Sequence, residues 1–262
     1  MKVIQLSDIH IGKSKNHERF ATLVEWIVKK KTTHKSKTVV ITGDIVDDGA
    51  LWQYKEAKRE IDKLRESGVK VFCVPGNHDY GPNGIIENNE CIGYFKKYIS
   101  GDIDYPHCEM IGNHAFVLLD SMLEEMQETE LWGAQGKLGK NQLRNLDKLL
   151  DDLEDGSNET KVIIALHHHP FYYNYFLKLR DDNLFKKVIT REENETSRAN
   201  CVMFGHKHVE KRFNDPNDSK EKKYGIDLIF ASGSTTERHS NGKMAIPVID
   251  LNNKTVTKHN IA

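Results

Sequence analysis

The chain has 262 residues, 38% of them hydrophobic and 29% charged, with a formal net charge of −1. That length can bury a sizeable core in a single domain spanning residues 1–262, and the near-neutral balance lacks the basic excess of a long nucleic-acid track. No run reaches the length of a membrane span and no charged leader precedes the first strand; Cys73, Cys91, Cys108 and Cys201 are widely spaced without a C-x-x-C pair, so an unanchored cytoplasmic protein with reduced thiols is expected.

Residues 2–6 form an apolar run that predicts a buried strand and opens into Ser7-Asp8-Ile9-His10. Residues 17–30 place Phe20, Leu23, Val24 and Ile27 at helical spacing. A second strand over residues 38–42 ends in Gly43-Asp44-Ile45-Val46-Asp47-Asp48-Gly49. A helix over 51–66 follows, with Ala57, Ile61 and Leu64 inward, Asp48 as its N-cap and Gly68 beyond its end. The third strand, rich in Val and Phe, is closed by Pro75-Gly76, and the turn throws Asn77, His78 and Asp79 out at its C-terminal edge. Strand and helix alternating with short connections predict a parallel sheet with right-handed crossovers.

Residues 85–98 predict a helix carrying Ile85, Ile86, Tyr94, Phe95 and Tyr98. Residues 108–111 and 114–119, joined by Gly112-Asn113, predict a hairpin, so antiparallel strands enter the fold. An irregular loop over 121–136 contains Trp132-Gly133, and leucines 143, 146, 149, 150 and 153 mark an amphipathic helix over 141–153. Residues 161–166 form a fourth strand that delivers His167-His168-His169-Pro170. Residues 171–200 are a candidate lid or specificity insert with one helix near 181–190; the aromatics from Phe171 to Phe176 read equally as a substrate pocket, a homodimer interface or core. A fifth strand over 199–204 delivers Gly205-His206-Lys207-His208, and strands over 209–213, 226–231 and 244–250 complete a second sheet. An α/β sandwich of two sheets flanked by helices accounts for this order.

Five apolar strands therefore end in Asp, His or Asn. A lone Asp-x-His or His-x-His is more often a surface turn than a ligand pair, but five such endings point to a shared site. The set Asp8, His10, Asp44, Asn77, His167, His206 and His208 mixes ring nitrogens, carboxylates and an amide oxygen without thiolate. It suits two borderline or hard divalent cations better than one closed structural zinc site. Seven ligands exceed the need of one tetrahedral ion, so a carboxylate must bridge two cations roughly 3.5–4 Å apart. His17, His34, His107, His114, His239 and His259 read as ordinary histidines.

The order Asp-x-His, Gly-Asp, Gly-Asn-His-Asp, His, Gly-His-x-His over residues 8–208 resembles the calcineurin-like metallophosphoesterase family. With Leu119-Asp120-Ser121, Gly136-Lys137-Leu138 and Gln142-Leu143, it looks most like the branch of bacterial cyclic-nucleotide phosphodiesterases and glycerophosphodiesterases. The resemblance implies a four-layer αββα sandwich of two mixed β-sheets flanked by helices, with a dimetal site at the C-terminal ends of the core strands. It assigns Asp8, His10 and His208 to one cation (Mn, Fe or Zn), Asn77, His167 and His206 to the other, and Asp44 to the bridge. Of the histidine triplet it favours His167. It implies hydroxide attack on a small phosphate ester, with His78 protonating the leaving oxygen and Asp47 holding the His78 tautomer.

A DNA-end nuclease, which the Asp8-Ile9-His10-Ile11-Gly12 opening also resembles, and a phosphomonoesterase are the alternatives within the family. A metal-binding scaffold is the non-enzymatic alternative, against which the full ligand set stands. His78 occupies the position where the lipid-A-precursor hydrolase branch carries Arg, which argues against that substrate. Neither a membrane nor a nucleic-acid partner is expected; a homodimer stays open.

Overall fold

The apolar runs form strands and the amphipathic stretches form helices. In chain order these are β1 (Lys2–Leu6), α1 (Asn16–Lys30), β2 (Thr38–Thr42), α2 (Leu51–Glu66), β3 (Lys70–Val74), α3 (Asn89–Phe95), β4 (His107–Ile111), β5 (His114–Leu118), α4 (Gly139–Gly156), β6 (Lys161–Ala165), α5 (Asp182–Ile189), β7 (Thr190–Arg191), β8 (Thr196–Ser197), β9 (Cys201–Phe204), β10 (Lys211–Arg212), β11 (Leu228–Ala231), β12 (Met244–Asp250) and β13 (Thr255–Ile261). The structure is a computed structural model and describes residues 1–33, 36–84, 88–122, 135–156, 159–171, 177–191, 196–213, 224–240 and 242–262.

One sheet has the order β13-β12-β1-β2-β3 and the other β10-β11-β9-β6-β5-β4. The strands β1, β2 and β3 run parallel, as do β5, β6, β9 and β11, while β12, β13, β4 and β10 are antiparallel additions at the edges. Both sheets are therefore mixed. Between them lies a core of Val3, Val40, Phe72, Val74, Phe116, Leu118, Ile163, Met203 and Phe230. A second core packs Phe20, Leu23, Ile27, Tyr54, Ile61 and Leu64 of α1 and α2 on the outer face of the first sheet. A third packs Leu143, Leu146, Leu150, Phe185 and Ile189 of α4 and α5 on the second. Helix, sheet, sheet, helix is the αββα sandwich, and each fully buried Leu, Ile, Val or Phe stabilises it by about 1.5–3 kcal/mol.

The parallel central strands carry their C-terminal ends to one edge of the sandwich. Just beneath that edge Gln5 joins the sheets, its Nε2 donating to Thr42 Oγ1 and to Phe204 O, both at 3.0 Å.

Several expectations shift in detail. The N-cap of α2 is Ala50, not Asp48; Asp48 instead accepts the Ala50 N–H at 3.1 Å, because its short side chain turns onto its own loop. The helix expected over 85–98 is α3 followed by a π-helical turn over Lys96–Ser100. Asn88 starts it by accepting the Glu90 N–H at 2.8 Å. The strand expected over 209–213 shrinks to two residues, the strand expected over 244–250 joins the first sheet beside β1 and not the second, and β13 had no apolar run to announce it, since Thr255–Ile261 is a mostly exposed edge strand. From residues 171–200, Leu179, Phe185 and Ile189 pack into the outer core of the second sheet. Ile85, Ile86, His34, Trp132-Gly133 and the aromatics of 172–176 lie outside the described residues.

Candidate metal centre

Each strand end reaches the site through a sharp turn. Asp8, His10, Asp44, His206 and His208 all have positive φ, between 50° and 74°. Non-glycine residues held in the left-handed region cost on the order of 1 kcal/mol each. Five of the seven expected ligands thus carry strain that the surrounding loops must hold.

Asp79 does much of that holding. It is fully buried, and its Oδ1 accepts the N–H groups of Ile45 at 2.9 Å and Val46 at 3.0 Å while Oδ2 accepts that of Gly76 at 2.9 Å. Burial, then the nearby Asp44 charge, push the Asp79 carboxyl up to about 7 against these hydrogen bonds. Its carbonyl accepts the Tyr54 hydroxyl at 2.8 Å. Gly76 makes room for the Asp44 turn: a Cβ there would stand 2.3 Å from Asp44 Oδ1.

The candidate ligand atoms fall into two groups around Asp44. In one, His10 Nε2 lies 3.1 Å from His208 Nε2, and His208 Nε2 lies 3.5 Å from Asp8 Oδ1. In the other, His167 Nε2 lies 3.2 Å from Asn77 Oδ1 and 3.1 Å from His206 Nδ1. Asp44 Oδ2 stands between them, 3.8 Å from His10 Nε2 and 3.3 Å from His167 Nε2. Asp44 Oδ1 is occupied by the His78 N–H at 2.9 Å. The other atoms of the groups are similarly tied, with Asn77 Nδ2 donating to Gly84 O at 3.1 Å and the His206 N–H to Asp8 Oδ1 at 3.1 Å.

The tautomers follow from the partners. His10 Nδ1 faces Asp47 Oδ1 at 3.0 Å, His208 Nδ1 faces Glu237 Oε1 at 3.1 Å and His167 Nδ1 faces Thr42 O at 2.7 Å. The acceptors on His208 and His167 keep a proton on Nδ1 and leave Nε2 as a lone pair aimed at the centre, and the Asp47 charge favours the same tautomer in His10. Lone pairs of His10 and His208 meeting at 3.1 Å repel unless a cation lies between them, so the donor set fits divalent metal in both groups.

The field agrees. Burial opposes a charge on His167, yet the charge and hydrogen bond of Asp44, then Asp8, push its pKa up to about 9. His10 is raised against burial by Asp47, Asp44 and Asp8. Burial likewise opposes the Asp44 carboxylate, but His167 first and then His78 and His10 hold it well below the usual range. A buried field that favours an extra proton on these rings equally favours a cation in that proton's place.

The remaining predicted residues divide. His78 Nδ1 lies 2.5 Å from the main-chain carbonyl of Asp47, whereas the Asp47 carboxylate serves His10. The expected pairing of Asp47 with His78 is thus made through the backbone. His168 bonds Ser121, Nδ1 to Oγ 2.8 Å, while its ring stays grouped with His167 and His206, and burial followed by the His206 and His167 charges holds its pKa well below the usual range. His169 meets Phe204 at a tilt and Phe213 edge-on. Asp120, in the Leu119-Asp120-Ser121 stretch, accepts the Tyr80 hydroxyl at 2.7 Å and is gripped through its backbone by Gln142.

Sequence reasoning missed Glu237, the wider role of Asp79 and the loop after β11. A signal existed for the last. Residues 228–231 are an apolar strand that ends in the polar run Ser232-Gly233-Ser234-Thr235-Thr236-Glu237, with a carboxylate at its far end.

Comparison with known proteins places these features. The family model for calcineurin-like phosphoesterases matches residues 1–210. A 3',5'-cyclic adenosine monophosphate phosphodiesterase CpdA from Vibrio vulnificus is 27% identical over 221 residues, covering 79% of this chain and 70% of that protein. A probable glycerophosphodiester phosphodiesterase GpdQ from Arcobacter nitrofigilis is 30% identical over 181 residues, covering 65% and 58%. A dimetal phosphatase from Danio rerio shares the fold with a TM-score of 0.68 at 16% identity, over 99% of this chain and 95% of that one.

Proposed function

The chain belongs to the calcineurin-like phosphoesterase family and is a phosphoric ester hydrolase; on that premise we propose that it is a metal-dependent phosphodiesterase acting on a small diester of cyclic-nucleotide or glycerophosphodiester type. The observation that carries this reading is the convergence of Asp8, His10, His167, His206, His208 and Asn77 around Asp44, beside His78, whose ring Nδ1 lies against the Asp47 carbonyl. The diester preference is supported by relatives that bear phosphodiesterase names.

Asp8, His10 and His208 would hold one divalent cation (Mn, Fe or Zn), Asn77, His167 and His206 a second, with Asp44 shared. Two such cations would supply Lewis acidity that activates water and positive charge against the phosphoryl oxygens. The protein's own groups do the rest. His78, fixed through Nδ1 by the Asp47 carbonyl, presents Nε2 to the leaving oxygen and gives it a proton, a role that requires the ring to be held but not ligated. Its ring meets His10 edge-on, with centroids 4.6 Å apart. Asp44 fixes the same turn by accepting the His78 N–H, so the bridging ligand and the proton donor move as one unit.

The test is hydrolysis of bis(p-nitrophenyl) phosphate against p-nitrophenyl phosphate by metal-stripped protein with Mn, Zn or Fe restored. Diester turnover that requires metal and is lost in Asn77→Ala supports the reading. Turnover of the monoester alone would replace it with a phosphatase, and cleavage of DNA ends without turnover of small diesters would replace it with a nuclease.

A further inference from the structure

The loop after β11 is fastened residue by residue to the first site loop. Ser234 Oγ donates to Asp8 O at 2.7 Å, the Thr235 N–H to Ser7 O at 3.0 Å and Thr236 Oγ1 to Ile9 O at 2.9 Å. Arg19 closes the join by donating to Thr236 O at 3.3 Å and to Asn16 Oδ1 at 3.1 Å, and Asn16 Nδ2 donates to Ile9 O at 3.0 Å. With residues 234–236 fixed, the position of the next residue is set. Glu237 brings Oε1 to 3.1 Å from His208 Nδ1, although its side chain is 52% exposed and belongs to none of the three cores.

A half-exposed glutamate fixed on a histidine ring, at the end of a loop otherwise bonded to the backbone of Asp8 and its neighbours, is placed to act through that ring. We propose that Glu237 is a positioning residue for cation binding: it keeps the His208 proton on Nδ1, turns Nε2 toward Asp8 and His10, and strengthens the hold on a divalent cation at that corner. This rests on the reading that Asp8, His10 and His208 bind a cation. Asp47 does the same for His10 at 3.0 Å, whereas His167 on the other side leans on the neutral carbonyl of Thr42. An imidazole paired with a carboxylate is the stronger donor, and losing such a partner typically weakens metal affinity about 10–100-fold.

The experiment titrates the metal-stripped full chain with Mn(II) or Zn(II) against a fluorescent chelator, resolving the two binding steps, and records the Co(II) absorption bands. His208→Ala should abolish one step. Glu237→Ala should weaken that same step about 10–100-fold and shift the Co(II) bands, while Glu237→Gln, which keeps an oxygen acceptor without the charge, falls between it and wild type. Glu210→Gln removes a nearby acid that pairs with Lys258 at 2.7 Å, and should leave both steps as they are. Melting curves of the stripped variants should coincide with wild type, since Glu237 is not part of the packing. If Glu237→Ala binds like wild type while His208→Ala loses a step, the proposal is overturned and the metal reading stands. Equal weakening in Glu237→Ala and Glu210→Gln would reduce the effect to bulk charge and also overturn it. Retention of both steps in His208→Ala would overturn the metal reading and the proposal together.

Discussion

Replacing Gly76 by alanine adds one methyl group against the Asp44 turn. Its Cβ would lie 2.3 Å from Asp44 Oδ1 and 2.5 Å from Asp44 N, where 3.4 Å is ordinary contact. The neighbour is a backbone nitrogen and a carboxylate bonded to the His78 N–H, so no flexible side-chain tip can swing away. To restore contact the carboxylate must retreat by about 1 Å, a displacement that costs on the order of 100-fold in rate when it moves a group from its reacting geometry. Overpacking of this size destabilises by about 1–3 kcal/mol. The assay is turnover of a chromogenic diester with metal content by mass spectrometry and a urea melt. Gly93→Ala is the control, because nothing lies within 4 Å of the added methyl. Within helix α3 that change should stabilise by about 0.5–1 kcal/mol. If Gly76→Ala kept two metals and wild-type turnover, Asp44 could not be the bridging ligand at the site's fixed centre.

Three further outcomes follow from the geometry. His78→Ala should lower kcat about 10²–10⁴-fold without changing metal content, with the smallest loss for nitrophenyl esters, whose leaving oxygen needs little help from an acid; metal loss in this variant would make His78 a ligand instead. Tyr80→Phe removes the 2.7 Å hydrogen bond to the buried Asp120 carboxylate and should cost about 1.5–3 kcal/mol in urea unfolding, with an unchanged midpoint as the contrary result. His169, lowered to about 3 by burial and then by the Lys207, His206 and Lys211 charges, is neutral when folded but titrates near 6.5 when unfolded. Its contribution to stability is therefore complete above that pH and is lost as pH falls, by roughly 1.4 kcal/mol per unit below 6.5. His169→Gln should flatten this slope in urea melts between pH 7 and 5, and an unaltered slope would count against the assignment.

The legible part of the molecule was that which repeats. Apolar strands ending in Asp, His or Asn recur at Leu6, Thr42, Val74, Leu166 and Phe204, and periodic leucines mark α4, so the sandwich and the seven strand-end residues stood out. What stayed hidden depends on pairings that no local pattern encodes. Asp79 is adjacent to Asn77 and His78 in sequence, yet its partners Ile45 and Val46 come from another strand end. Glu237 meets His208 from 29 residues away across two strands. Asp47 carries a carboxylate and a carbonyl to different histidines, and only the φ and ψ of the loop decide which group goes where. The positive φ values of Asp8, His10, Asp44, His206 and His208 are imposed by tertiary bonds against local preference. Edge strand β13 went unread because a half-exposed edge need not be apolar.

The most direct test of the central claim is metal content per chain. Protein loaded with Mn, Zn or Fe and freed of excess should carry two equivalents, falling to one or fewer in Asp44→Ala, whose side chain is shared by both ligand groups. Two equivalents retained in Asp44→Ala, or none in the wild-type chain, would contradict the account.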